Sequence, residues 1–215
     1  MTEQPPRRET RRRAETRRRL VAAARDVFLE HSIRDTPVEL ICEAAGFSRG
    51  AFYSNFATKE DLFLAVYEEE MAARIDQTRE IIEKAVAPTG EQRSVHEAIV
   101  TIGAACAESL VADKTWYLLL TEFRAHALRS SELRLRAGEY LEQVHEEVAA
   151  LMQHALDEMG MRSEVDTRDA VRALIAIYDA ELERAVFSNT DPNMGTLFTE
   201  IFPRVAAALI APQET

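Results

Sequence analysis

Cysteine, glycine, proline and tryptophan are scarce in this chain: 2, 7, 7 and 1 of 215 residues. Cys42 and Cys106 both lie on apolar stretches of helical period without CxxC spacing, so neither a disulfide framework nor a zinc cluster can be assembled, and a reducing cytoplasm is the expected location. Few helix breakers between long tracts of Ala, Leu, Glu and Arg predict helix almost everywhere past residue 14, and no stretch alternates as a half-buried strand does. No apolar run approaches the ~18 residues of a membrane-spanning helix, and no signal-peptide core follows the arginine-rich N-terminus, so no membrane partner is expected. G-x-G-x-x-G, the P-loop, G-x-S-x-G and H-E-x-x-H are also missing. His96-Glu97 and His145-Glu146 do occur, but adjacent helical residues face different directions. The chain therefore reads as a non-enzyme with no cofactor and no metal. Its 47% hydrophobic and 29% charged residues describe a globular protein able to bury a core.

A formal net charge of −11 would argue against a nucleic-acid partner if it were evenly spread. Residues 1–66, however, hold 12 Lys and Arg against 10 Asp and Glu, a net of +2, which leaves 14 against 27, or −13, for the remainder. A slightly basic head sits on an acidic body. Residues 1–14 include Pro5, Pro6 and five arginines with no apolar period, which predicts a flexible basic arm able to follow phosphates or enter a minor groove. From Thr16 to Glu30, Leu20, Val21, Ala24, Val27 and Phe28 form one helical stripe. Arg17, Arg18 and Arg19 near its start oppose the helix dipole and suggest a requirement for positive charge on that surface.

The stretch from Thr36 to Lys59 carries three helix starts in close succession. Thr36, Pro37 and Glu39 read as N-cap, first-turn proline and capping-box acid of a helix that turns Val38, Ile41 and Ala45 inward, uses Cys42 as a small filler and stops at Gly46. Ser48 caps a second, short helix. There Arg49, Gly50, Ala51, Tyr53 and Ser54 are small, cationic or hydroxylated, while Phe47, Phe52 and Phe56 are apolar, so one face suits a groove and the other a core. Arg49 is the residue expected to read a base, since a guanidinium can bond guanine O6 and N7 together. Ala51 could touch a thymine methyl. Gly50 costs about 1 kcal/mol relative to Ala inside a helix, which calls for close approach of DNA or of another helix. Thr58 gives the third start, with Asp61 three residues on.

The helix begun at Thr58 is expected to run to about Ala87, on an apolar stripe that includes Leu62, Phe63, Val66, Tyr67, Ile75 and Ile82. Further helices are expected over 92–111, 113–129, 131–159 and 166–187, and after a turn at 189–193 to about residue 210, with Pro203 kinking or restarting the last. Such stripes need several partners, which predicts a helical bundle.

The run from Leu20 to Val66, above all AAGFSRGAFYSNFATKEDLF with Gly46, Ser48, Gly50, Tyr53, Phe56, Lys59, Glu60 and Leu62, resembles the DNA-binding domain of the TetR/AcrR family of bacterial transcriptional regulators. The glycine frequent before that family's second helix is absent, His31-Ser32-Ile33 standing there instead. The resemblance implies an all-α fold: after an arm of residues 1–14, a three-helix helix-turn-helix head over 15–60, joined by a long helix to a helical-bundle ligand-binding and dimerisation domain over 61–215. It implies that Ser48 to Asn55 hold the recognition helix and that Tyr53, Asn55 and Lys59 lie near phosphates. The DNA-contacting set is then Thr36, Ser48, Arg49, Gly50, Ala51, Tyr53, Ser54, Asn55 and Lys59. It also implies an effector pocket, for which Trp116, Tyr117, Phe123, His126, Tyr140, His145 and Met152 are best suited. The dimer interface implied is two-fold and made from the last two helices, here Val171, Leu174, Ile175, Tyr178, Leu182, Phe198, Phe202 and Val205. The expected function is a homodimeric repressor released from a pseudo-palindromic operator when a small molecule binds. A metal-responsive regulator using His126, His145, His154 or Cys106 is the alternative, although their spacings give no ligand pattern. A helical enzyme ranks below both.

Overall fold

The computed structural model describes residues 7–87, 97, 99–102, 114–188 and 200–212. Residues 1–6 of the arm, the turns at 88–90 and 189–193, most of the helix expected over 92–111 with Cys106, and Phe198 lie outside the described residues. In chain order the elements are α1 (Arg7–Glu30), α2 (Val38–Ala45), α3 (Arg49–Tyr53), α4 (Lys59–Val86), α5 (Lys114–Arg129), α6 (Ser131–Glu158), β1 (Met161–Ser163), α7 (Thr167–Ser188), α8 (Phe202–Ala208) and β2 (Ile210–Pro212). The fold is all-α in class, as the scarcity of breakers predicts. Among the described residues no helix is long and apolar enough to cross a membrane. The chain divides into two compact units, one of residues 1–71 with 118–137 and one of residues 72–117 with 138–215. The divisions fall inside α4, α5 and α6.

In the first unit α1 begins at Arg7, so the part of the arm over 7–14 is helical. Pro6 is the last breaker before a run of Arg, Glu and Ala, all good helix formers, and Arg18 pairs with Glu15 one turn back at 2.6 Å. The stripe of Leu20, Val21, Ala24, Val27 and Phe28 is buried as its spacing requires. Ile41, Cys42 and Ala45 of α2 are buried beneath it, and burial, aided by Glu39, pushes the Cys42 thiol pKa up. Phe28 meets Phe63 edge-on at 5.2 Å, Phe63 lies 5.6 Å from Phe123, and Tyr67 stacks on Phe123 at 3.9 Å. These rings join α1, α4 and α5 into one core.

The start of α2 departs from the expected cap. Pro37, with φ −74° and ψ 148°, occupies the capping position and offers no side-chain bond. Thr36 is 1% exposed, and its hydroxyl donates to the Ser32 carbonyl at 2.8 Å, which removes it both as a cap and as a DNA-facing group. The end of α2 follows the expectation. Gly46 sits at φ 71°, where its N–H donates to the Glu43 carbonyl and the Phe47 N–H to the Cys42 carbonyl, the paired bonds of a Schellman motif.

At the start of α4 the Thr58 N–H donates to Asp61 Oδ2 at 2.9 Å and the Asp61 N–H to Thr58 Oγ1 at 3.0 Å, a reciprocal capping box. Asp61 also accepts from the Arg136 guanidinium at 2.5 Å. Burial by itself would raise the Asp61 pKa, but the bonds from Arg136 and Thr58 together outweigh it and hold the carboxyl below its usual value.

In the second unit Trp116 is buried with the Arg74 guanidinium 4.3 Å from its ring. Arg172 pairs with Glu142 at 2.7 Å and Thr167 Oγ1 donates to Gln153 at 3.1 Å, which ties α7 to α6. A short antiparallel ribbon, Met161 opposite Pro212 and Ser163 opposite Ile210, closes the end of this unit. Three residues a side are too few to show a period of two, so the sequence carries no sign of it. Pro203 lies in the first turn of α8, which follows directly on π-helical Glu200 and Ile201, so it falls where the helical winding changes.

Two outcomes follow for stability. Phe52→Ala is expected to destabilise the first unit by about 3–5 kcal/mol in urea denaturation, because a fully buried ring is removed. Asp61→Ala is expected to cost about 1–2 kcal/mol at pH 7. Since the folded pKa of Asp61 is depressed, its contribution is present above the unfolded value near ~3.9 and fades as pH falls through the folded one. The difference between the two proteins should therefore shrink in acid titrations of stability.

Candidate nucleic-acid interface

The surface that α2 and α3 present is built by local bonds. Ser48 caps α3, its hydroxyl accepting from the Ala51 N–H at 3.3 Å. At the far end Ser54 Oγ and Asn55 Nδ2 both donate to the Ala51 carbonyl, at 2.9 and 2.8 Å, and Arg13 donates to the Ser54 carbonyl at 3.0 Å. Phe52 and Phe56 are buried with ring centroids 6.0 Å apart, as their shared face predicts. The opposite face holds Arg49, Gly50, Tyr53 and Ser54, all exposed. Among the described residues, a Cβ built on Gly50 would meet only Ser48 Oγ, at 3.7 Å, so none of the described helices requires glycine there.

The cations sort into two groups. Arg19 donates to the Ala45 carbonyl at 3.0 Å, at the negative end of the α2 dipole, and lies 4.7 Å from the Phe47 ring. Arg17 lies 5.2 Å from the Phe56 ring. Arg17 and Arg19 thus serve the packing of the head itself, while Arg18 pairs with Glu15 of its own helix. Lys59 donates to the carbonyls of Thr36 at 2.8 Å and Arg34 at 3.2 Å, which closes the connection between α1 and α2 onto α4. Arg49 remains on the outer face, with Nη1 2.7 Å from Glu39 Oε1 and its guanidinium 5.9 Å from the Tyr53 ring. Tyr53, then Glu39, holds the Arg49 pKa above its ordinary value.

Segment 118–137 packs with this head in the same unit, through His126, expected instead at an effector pocket, and through Glu122 and Arg136, which sequence reasoning did not single out. Glu122 Oε1 accepts the Ile33 backbone N–H at 2.7 Å, and burial raises the Glu122 pKa. His126 Nε2 lies 3.6 Å from Glu60, and Arg136 reaches Asp61. The capping acids at the start of α4 were visible in the sequence. Their partners, some 70 residues away, were not.

The residues expected to line an effector pocket are divided between the two units. Phe123 and His126 belong to the first unit, Phe123 in its aromatic core and His126 edge-on to Phe63 at 6.5 Å. Their positions on the body-side helix α5 concealed this, because period alone does not say which core a stripe joins. Trp116, Tyr117, Tyr140, His145 and Met152 belong to the second unit, where Trp116 is buried and the others are half-buried. The His145 pKa is lowered by burial, then by Arg172, which favours the neutral imidazole. A cleft of about 230 Å³ in the first unit, lined by Val21, Arg25, Val66 and Glu70 among others, includes none of the expected pocket residues.

On the expected dimer surface, Val171 and Leu182 are buried within their own chain and are withdrawn from it. Leu174, Ile175, Tyr178, Phe202 and Val205 are half-buried, and Phe187, which the sequence reading passed over, is 74% exposed. Among the described residues no group of three or more His, Cys, Asp and Glu could hold a metal ion.

Residues 20–66 match the family described as bacterial regulatory proteins of the tetR family. The chain is 26% identical over 130 residues to the HTH-type transcriptional regulator UidR of Escherichia coli, across 54% of this chain and 66% of that protein. It is 41% identical over 63 residues to the HTH-type transcriptional repressor AcnR of Corynebacterium efficiens, across 29% and 33% respectively. The matches thus span about two thirds and one third of the lengths of these relatives. In fold it is similar to a TetR-family transcriptional regulator of Mesorhizobium loti, with a TM-score of 0.66 and 22% identity over 92% of this chain and 94% of that one. The capped helix-turn-helix head over residues 20–66 thus belongs to the tetR family of bacterial regulatory proteins, and the chain as a whole is similar in fold to TetR-family transcriptional regulators.

Proposed function

We propose that this regulator is a homodimeric repressor whose α3 enters the major groove of a pseudo-palindromic operator, with the two copies of α3 separated by about 35 Å. The observation that carries this reading is the outer face of α3. An exposed glycine there has room for a side chain, yet costs about 1 kcal/mol relative to alanine, so its benefit lies with a partner that approaches the helix closely. Arg49 reads guanine on that face, while Ser48, Gly50, Ala51, Tyr53 and Ser54 line the contact. Lys59 and Asn55 act mainly by holding the helix starts and ends in place, and Thr36 is left out of the contact set.

Effector response rests on α5. That helix carries Trp116 and Tyr117 in the second unit and Glu122, Phe123 and His126 in the first, where Glu122 and His126 bear on Ile33 and Glu60. A small molecule held among Tyr117, Tyr140, His145 and Met152 that shifts α5 alters the support of the head. It weakens operator binding by its own differential affinity for the two states. The dimer face is made by Leu174, Ile175, Tyr178, Phe202 and Val205, with Phe187 at its edge. The domain division that follows is a DNA-binding head supported by 118–137, with the remainder serving ligand binding and dimerisation.

Selection of bound fragments from random DNA is expected to enrich an inverted repeat. The folded Arg49→Ala, Tyr53→Phe double variant should bind that repeat at least about ten-fold more weakly in mobility-shift titrations. Unchanged binding would remove this reading surface. Light scattering at micromolar concentration should give a dimer, and Phe187→Glu should shift it measurably towards monomer. A wild-type monomer would remove the two-fold mechanism.

A further inference from the structure

One charge on the reading surface has the wrong sign for a phosphate-binding face. Glu39, in the first turn of α2, places Oε1 2.7 Å from Nη1 of Arg49, with the two side chains 57% and 61% exposed. An exposed pair of this kind adds little to folding stability. Its electrostatic consequence for a ligand is larger. Alone, Arg49 would attract any phosphate of any DNA. Beside Glu39 the pair is close to neutral, and a phosphate that reaches the guanidinium must also approach a carboxylate, a like charge. A guanine edge presents neutral acceptors at O6 and N7 and meets no such repulsion. The contact is made through Nη1, and a guanidinium carries five N–H donors, so holding Glu39 and offering a second edge to a base are compatible.

Resting on the DNA-reading role of α3, we propose that Glu39 is a specificity-determining residue: it keeps Arg49 from serving as a phosphate clamp and reserves it for a base. Glu39 contributes by weakening the wrong complexes more than the right one, which is how specificity arises as a difference of affinities. Non-specific binding is the sequence-independent phosphate contribution, so that is where its removal acts.

The test uses the full-length chain, its selected operator duplex and a scrambled duplex of the same length and composition, titrated by fluorescence anisotropy between about 50 and 200 mM salt. Glu39→Gln keeps the shape of an exposed side chain, and a thermal melt confirms its fold. On the scrambled duplex the variant is expected to bind about 5- to 10-fold more tightly at low salt. Its salt slope should steepen by about 0.9, the signature of one added phosphate contact. Operator affinity should change less, so the ratio of operator to scrambled binding falls. In the Arg49→Ala background the same substitution should lose most of this effect.

Equal slopes for wild type and Glu39→Gln would overturn the proposal. So would an equal gain in the Arg49→Ala background, which would make Glu39 a general repulsive charge. Weakened operator binding with unchanged scrambled binding would overturn it in favour of Glu39 reading a base itself. Failure of the wild-type protein to bind any selected DNA is a distinct result, and would remove the DNA-reading role of α3 together with this inference.

Discussion

A helix of five residues closes barely more than one hydrogen-bonded turn, too little to offset the cost of nucleation, so α3 exists only as far as its surroundings hold it. They hold it at every available point. Ser48 satisfies its first N–H groups, Ser54 and Asn55 converge on the Ala51 carbonyl, Arg13 takes the Ser54 carbonyl, and Phe52 and Phe56 bury its inner side. With the helix secured in this way, its outer positions other than Ser54 are not needed to hold its ends. Arg49, Gly50 and Tyr53 can then be chosen for what they meet outside the chain.

The same economy governs charge in the head. Cations that composition alone would assign to DNA are used first to close the fold: Arg19 on the carboxyl end of α2, Arg17 against Phe56, and Lys59 on the carbonyls of 34 and 36. Acids take the complementary places. Asp61 caps α4 and holds Arg136, and Glu122 satisfies a backbone N–H in the connection between α1 and α2. The head is therefore completed by residues 118–137, and what a DNA-binding unit requires for its own integrity extends well past the family-matched segment of 20–66. α5 carries side chains of both units, and those of Glu122, Phe123 and His126 are ones on which the head depends.

Helix termini and apolar stripes were legible in the chain because each is written within a turn or two. Gly46 has the freedom to reach φ 71°, Ser48 and Thr58 carry hydroxyls at capping positions, and Leu20, Val21, Ala24, Val27 and Phe28 recur at helical spacing. Thr36 shows where that logic stops. Its type and position read as a cap, yet a carbonyl four residues back takes its hydroxyl and packing removes it from the surface. Which core a stripe joins was equally hidden. Phe123 and His126 share a helix with Trp116 and Tyr117 but pack with the head, and Val171 and Leu182 turn into their own chain rather than towards a partner. The sequence by itself determined the helical class, the cap-and-stop grammar of the head and the split of charge, all properties of neighbours along the chain. Only the tertiary structure decided that Arg136 meets Asp61 across 75 residues, that Glu122 meets Ile33 across 89, and that Glu39 stands beside Arg49. Such pairings depend on how whole helices pack, and local spacing contains no term for that.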